Sequence, residues 1–463
     1  MTPAISAAIP GTSVDLNAWR ASFEELQRRE SAAAPGWLAG LRRRGWSLFE
    51  EHGMPRPDQE EWRFTSVAAL ARLPFQPALE PAEGQRPGDL LPPQAAAETG
   101  PRLVFVDGFF APGWSRLEGL PDGVRVRSLA EVMKLPEPGL EPHLFGCAEV
   151  VDHGLAALNM AFFEDGAVVE VGAGVAVPEP IHVIHLASGR ALQATFHLHH
   201  LWIAGPGSRI KIVEHYESAQ AGAYVTNVMT ELAAGEGAIV EHGRWQAEGL
   251  EAVHVASVQA RLGPRARLVS HSISAGARLA RHDFRSRMEG EGGETMFNGL
   301  YLGMGEQIVD HHTTIDHGAA RCGSHQQYHG ILDGRARGVF NGKIMVRPGA
   351  QKTDAKQTNR NLLLSRDAMV HTKPQLEIFA DDVRCTHGAT VGQMDADALF
   401  FLRARGMDEL GARRLLMRAF AGGILDRVSI EAWRERLDRE VTAWFESLEA
   451  PAAGSSAAAK ELS

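Results

Sequence analysis

Ala167-Val168-Val169-Glu170-Val171, Ile181-His182-Val183-Ile184 and Arg209-Ile210-Lys211-Ile212-Val213 are short runs rich in β-branched residues, in a zone that glycine punctuates every few residues. Runs of this length and composition read as strands. The pattern continues from about Ala161 to Phe401 with no long helical crossover, which excludes a doubly wound sheet and a barrel of alternating strands and helices. A β-sandwich, a cupin-like roll and a parallel β-helix remain. Each rung of a β-helix buries its inward residues against the next and needs only turns, which suits about 240 residues of strand and glycine. Spacing alone does not choose among the three.

Outside this zone the period becomes helical. Trp19, Phe23 and Leu26, then Trp37, Leu38, Leu41, Trp46 and Leu48, recur at helical spacing between Leu16 and Phe64. The Pro- and Ala-rich stretch Leu73 to Pro101 reads as a linker, and Leu103-Val104-Phe105-Val106 opens a mixed segment. Near the C-terminus Ile430, Trp433, Leu437, Val441, Trp444, Phe445 and Leu448 share one helical face, with Ser429 placed to cap its start. Leu410, Leu416, Phe420 and Ile424 mark an earlier helix expected to end near Gly422-Gly423. The expected divisions are an N-terminal helical region and linker (1–100), a mixed α/β connecting segment (101–160), a strand core (161–403), a C-terminal helical domain (404–448) and a disordered tail (449–463).

The 463 residues are 44% hydrophobic and 22% charged, too long for one compact core. Forty-seven Lys and Arg against 57 Asp and Glu give a net charge of -10, which argues against a nucleic-acid groove. No segment has the uninterrupted apolar length of a membrane span, and Met1 to Ser13 lack the pattern of a secretory leader, so a cytoplasmic protein is expected. Cys147, Cys322 and Cys385 are odd in number, far apart and without a CxxC pair, so reduced thiols are expected.

One stretch is unusually polar. Gln351, Lys352, Thr353, Asp354, Lys356, Gln357, Thr358, Asn359 and Asn361 crowd amides, hydroxyls and charges that must be solvated or satisfy one another. A polar ladder or a docking surface is expected there. Downstream stand Lys373-Pro374-Gln375-Leu376-Glu377-Ile378 and Ala380-Asp381-Asp382-Val383-Arg384-Cys385-Thr386-His387-Gly388-Ala389-Thr390. Together with Asp310-His311-His312-Thr313 and Phe400-Phe401-Leu402-Arg403-Ala404-Arg405-Gly406, these segments resemble the SufB/SufD scaffold family of the Suf iron-sulfur cluster assembly system. The N-terminal Pro57-Asp58-Gln59-Glu60-Glu61-Trp62-Arg63-Phe64-Thr65 resembles a further signature of that family, and reads equally as a buried Trp62 among solvated acids.

The resemblance implies a mainly β protein: a right-handed parallel β-helix core flanked by N-terminal and C-terminal α-helical regions. It further implies a non-enzymatic scaffold subunit that pairs with a SufB-like subunit and binds a SufC-like ABC-type ATPase through its C-terminal helices, at Leu410, Leu416, Phe420 and Ile424. A nascent cluster would form at the subunit interface, and the subunit would support iron acquisition. The isolated chain is expected to be a homodimer without a tightly bound cofactor, holding an iron-sulfur cluster only transiently in the complex; flavin on the complex is left open. Gly388 stands where SufB-type chains carry Glu, and Ala368 near where they carry Cys, which places this chain on the SufD side and argues against assembly by this subunit alone.

Cys385 and His387 are the sharpest chemical pair. One residue apart on a strand, they face one side, and thiolate with imidazole suits iron, zinc or copper(I). A packed thiol beside a hydrogen-bonded histidine is the competing reading. The resemblance places Cys385 and His387 at the contact with the partner subunit. His311, His312 and His317, with Asp310 and Asp316, form a weaker metal candidate, as does His197-Leu198-His199-His200. His311 and His312 point to opposite faces of a regular strand, so at most one joins His317 and Asp310. Hydrogen-bonded ladders between rungs are the plainer reading, and for Cys322, three residues before His325, a packed thiol. The rival function is a β-helix or cupin-like metal-dependent enzyme acting on saccharides or small metabolites, against which the 7% aromatic content counts. Gly338-Val339-Phe340-Asn341-Gly342-Lys343 has one residue too few between its glycines for a phosphate loop, and Ile344 stands where a hydroxyl is needed, so no ATPase is expected.

Overall fold

The computed structural model describes residues 16–30, 35–67, 76–81, 98, 100–134, 143–146, 154–189 and 193–448. From Ala194 onward each strand hydrogen-bonds to the strand two before it, so the chain winds between two sheets. One sheet takes Ala167–Val171, Ala194–Ala204, Val225–Ala234, Val253–Leu262, Leu279–Met288, Ile308–His317, Arg337–Val346 and Met369–Ile378. The other takes Ile181–Ala187, Arg209–Ser218, Ile239–Ala247, Arg267–Ser274, Glu294–Gly303, Gly323–Leu332, Asp354–Leu363 and Arg384–Gln393. All these ladders are parallel and in register, as in Leu279↔Ile308↔Arg337 and Glu294↔Gly323↔Asp354. That geometry is a parallel β-helix; a sandwich or roll would pair its strands antiparallel. Tight turns join the rungs, and Gly207 and Gly237 hold φ of +67° and +65°, which an L side chain resists.

Alternation decides what lies inside. Val240, Leu268, Phe297, Tyr301 and Tyr328 from one sheet meet Ala256, Phe284, Val309 and Phe340 from the other in one buried core. The two outer faces are covered by different helices. α1 (Leu16–Glu30) and α2 (Gly36–His52) precede a single turn, α3 (Leu129–Val132), and α4 (Gly154–Phe162). Trp19, Phe23, Trp46, Phe49 and Phe162 from α1, α2 and α4 bury the outer side of the first sheet at Val225, Met229, Val253 and Leu279. After the last strand come α5 (Ala396–Arg403), α6 (Glu409–Leu425) and α7 (Glu431–Ser447). Trp433, Leu437 and Val441 of α7 and Ile424 of α6 pack on Val213, Trp245, Ile273 and Leu300 of the second sheet. Trp433 lies against Gly243, where an added Cβ would come within 2.6 Å of the indole.

Two local expectations are corrected. Ser429 does not cap α7: its hydroxyl and backbone N–H both turn to the Glu241 carboxylate, and the helix starts with no side-chain cap. Nor does α6 stop at Gly422-Gly423; it runs on to Leu425. Gly423 instead admits the His329 ring, which a Cβ would meet at 2.7 Å. Most of the stretch expected as a linker, Cys147 and the tail 449–463 lie outside the described residues.

The two ends of the solenoid differ. At the first, Val124–Ser128 pairs antiparallel with Ala167–Val171, and Arg102–Val106 lies beside Ile181–Ala187. At the other, Met369–Ile378 and Arg384–Gln393 are the outermost strands of their sheets, and every residue in them is at least partly exposed.

Candidate functional site at the last rung

Arg384–Gln393 stacks on Asp354–Leu363 with Ala355↔Cys385, Gln357↔His387 and Asn359↔Ala389. Cys385 and His387 therefore continue two inward rows, Thr295–Ser324–Ala355–Cys385 and Phe297–Gln326–Gln357–His387. Inward in earlier rungs means buried. On this last rung Cys385 is half-buried and His387 exposed, because among the described residues no further rung lies beyond them. The thiol packs beside Ala355 and Val383, and burial together with the Asp354 carboxylate pushes it above its ordinary value. It is a protonated thiol at neutral pH, and a metal would have to displace the proton. One sulfur and one nitrogen donor fall short of the four ligands a cluster usually takes, so the pair could supply at most half of such a site.

Behind this rung the polar stretch resolves by parity. Asn361 donates to Asn359 Oδ1 at 2.7 Å, Asn359 to the Tyr301 hydroxyl at 3.1 Å, and Gln357 to Gln326 Oε1 at 3.3 Å, which also accepts from Thr313 at 2.7 Å. These inward amides form the ladder. Lys356 and Arg360, between them, face solvent.

The weaker histidine set is not brought together. His311 points inward among His282, Tyr301 and Tyr328, and burial pushes it down to about 3. His317, also inward, sits six residues along the strand with Nε2 2.8 Å from Ser324 Oγ. His312 faces outward, 3.0 Å from both Asp310 and Glu61. Burial and the neighbouring Arg281 oppose its charge, but the two carboxylates outweigh them and raise it to about 9. Arg281 is itself fully buried, forked onto Asp283 at 2.9 and 3.0 Å, 3.0 Å from Asp310 and stacked 3.8 Å over Trp62. This network clamps the Glu60–Thr65 segment onto the solenoid. His197, His199 and His200 are buried among aromatic rings and hydrogen bonds, and Cys322 is a packed thiol donating to the Gly290 carbonyl at 3.4 Å. His325, three residues further on, faces solvent.

A cluster that the sequence did not reveal lies under α7. Glu98, His182 and His215 place ligand atoms within 4.8 Å of one another, a spacing that suits a metal. Arg436 argues otherwise. Its guanidinium, which can only donate, lies 3.1 Å from His215 Nδ1 and 3.2 Å from Glu98. His215 must then carry its proton on Nε2 and donate to His182 Nδ1 at 3.1 Å, leaving the His182 Nε2 proton for Glu98 at 3.5 Å. The chain of hydrogen bonds is complete without an ion.

The expected docking residues separate. Leu410 is exposed, Leu416 and Phe420 are partly covered, and Ile424 is fully buried against the solenoid, out of reach of any partner. On α5, α6 and the turn between them the exposed large apolar residues are Phe400, Phe401, Met407, Leu410 and Leu415. The adjacent phenylalanines Phe400-Phe401 were the signal available for it. Gly338 to Lys343 is extended strand, with no loop to hold a phosphate.

Two family models match the chain: the SUF system FeS cluster assembly SufBD core domain over residues 185–420, and the SufBD protein N-terminal region over residues 17–183. An iron-sulfur cluster assembly SufBD family protein of Synechocystis is 33% identical over 89% of this chain and 94% of its own length. The iron-sulfur cluster assembly protein SufD of Escherichia coli is 29% identical over 93% and 97%, and that of Bacillus subtilis 26% identical over 88% and 94%. With the parallel solenoid and its two helical covers, these matches place the chain in the SufBD family of iron-sulfur cluster assembly proteins.

Proposed function

We propose that this chain is the SufD-type scaffold subunit of a cytoplasmic cluster-assembly complex, pairing with a SufB-like subunit and binding a SufC-like ATPase. The observation that carries the reading is the uncovered last rung. Natural sheets shield their edges, yet here two ten-residue edge strands are exposed together, with Met369, Ile378 and Val391 open to solvent. A second solenoid of the same kind fits such an end by continuing both ladders. Cys385 and His387 would then lie at the junction and contribute part of a site for iron or a nascent cluster, the cargo of the complex, with the remaining ligands from the partner. Without that partner, a second copy of this chain would cover the rung as a homodimer.

The ATPase would dock on the apolar patch of α5 and α6. Asp395 caps α5 two residues after the strand that bears Cys385 and His387, so a displacement of α5 would pass directly into that strand. ATP-driven closure of the ATPase would in this way expose Cys385 and His387 to incoming iron or sulfur. Anaerobic co-expression with SufB-like and SufC-like partners tests the reading: the chain should join an iron-containing complex, and Phe400→Asp with Phe401→Asp should release the ATPase alone. Stoichiometric metal on the isolated chain with no partner retained would refute it.

A further inference from the structure

We infer that Gln357 is the positioning residue for His387, accepting a hydrogen bond from one imidazole N–H and so leaving the other ring nitrogen bare toward the open end. The inference rests on the reading of His387 as a ligand and names what holds its ring. Gln357 is 1% exposed, and its Nε2 is engaged by Gln326 Oε1 at 3.3 Å. Gln326 Oε1 also accepts from the Thr313 hydroxyl at 2.7 Å. With Nε2 so engaged, the Gln357 carbonyl Oε1 is left buried without a donor, as Gln326 Nε2 is left without an acceptor. A buried acceptor of this kind is costly to leave unmade. The next side chain in the same inward row, one rung toward the open end, is His387. Parallel neighbours stand about 4.8 Å apart, within reach of an amide oxygen and an imidazole N–H.

The chemistry suits a ligand. Histidines that bind metals usually donate their second N–H to an oxygen, which sets the tautomer and the ring plane. An amide oxygen does so without adding charge. Cys385 has no such support, its in-register neighbour being Ala355. The row thus orients the nitrogen ligand and leaves the thiol to its partner.

Nitrogen-15 NMR of histidine-labelled full-length chain tests this without metal, with His387→Ala assigning the resonance. His387 should populate one neutral tautomer in the native chain. Gln357→Leu should let it redistribute toward a mixture, and Gln357→Glu, which substitutes a carboxylate acceptor, should keep the tautomer. In the assembled complex Gln357→Leu should weaken iron binding about 10- to 100-fold. An unchanged His387 tautomer in Gln357→Leu, with both variants folded by circular dichroism, would overturn the inference, as would a native His387 that accepts rather than donates toward Gln357. If Gln357→Leu redistributes the His387 tautomer while His387→Ala leaves cluster formation intact, the positioning stands and the ligand reading fails.

Discussion

His312→Gln should remove a pH-dependent clamp, and its size follows from the ion network around it. In the folded chain the His312 imidazole is held at about 9 between Asp310 and Glu61, against an ordinary value of 6.5. Because the folded value is the higher, protonation favours the folded state. The contribution is fully present below pH 6.5 and is lost as pH rises through about 9. At about 1.4 kcal/mol per pH unit of separation, it amounts to about 3 kcal/mol. The residues that give way are those of the Glu60–Thr65 segment, tied down by Glu61 to His312, Thr65 to Asp310 and Trp62 under Arg281. Hydrogen exchange of that segment, read from pH 6 to pH 10 after correction for intrinsic rates, should show protection falling across pH 6.5 to 9.5 in the native chain. In His312→Gln the segment should be less protected at pH 6.5 and nearly flat over the same window. Parallel pH profiles for the two chains would show that the network does not hold the segment.

Four other outcomes follow. Trp433→Ala should cost about 3–5 kcal/mol by emptying the contact of α7 with the second sheet, and Gly243→Ala should also destabilise, since its Cβ has no room beside the indole; chemical denaturation measures both. Arg436→Met should cost about 3–5 kcal/mol by leaving Glu217 and Glu98 without their cation, and zinc titration of the native chain should find no site at Glu98, His182 and His215. Cys385 should alkylate more slowly at pH 7 than a free thiol and speed up only above the ordinary thiol value, while Cys322 stays unreactive until unfolding. Ile424→Ala should lower stability by about 2–5 kcal/mol and leave ATPase capture by the folded chain unchanged, because the side chain faces the solenoid.

Much of this architecture was written in short-range pattern. The strand zone, both helical covers and the shared face of Cys385 and His387 follow from periods of 2 and 3.6, and of the ladder or docking surface that the crowding of Gln357, Asn359 and Asn361 left open, these three side chains form the ladder. The choice of a parallel β-helix over a sandwich did not, because alternation along one strand is silent about the direction of its neighbour; it came from the family resemblance. Contacts of long sequence separation were equally hidden. Ser429 had the spacing of a helix cap, but Glu241, 188 residues away, competes for its hydroxyl. Ile424 looked like an outer-face residue until the solenoid beneath α6 was known. Arg436, which makes a metal site of Glu98, His182 and His215 unnecessary, lies 221 residues from His215.

The central claim is that the open rung is completed by a partner and that Cys385 and His387 serve there. It is tested most directly by anaerobic reconstitution of the purified complex with iron and sulfide, comparing the native chain with the Cys385→Ala, His387→Ala double variant. Complexes of equal size and subunit content, with cluster absorbance developing in the native complex and largely lost in the variant, are the predicted result. Equal cluster formation in both would contradict the account and leave the pair as packing at an exposed edge.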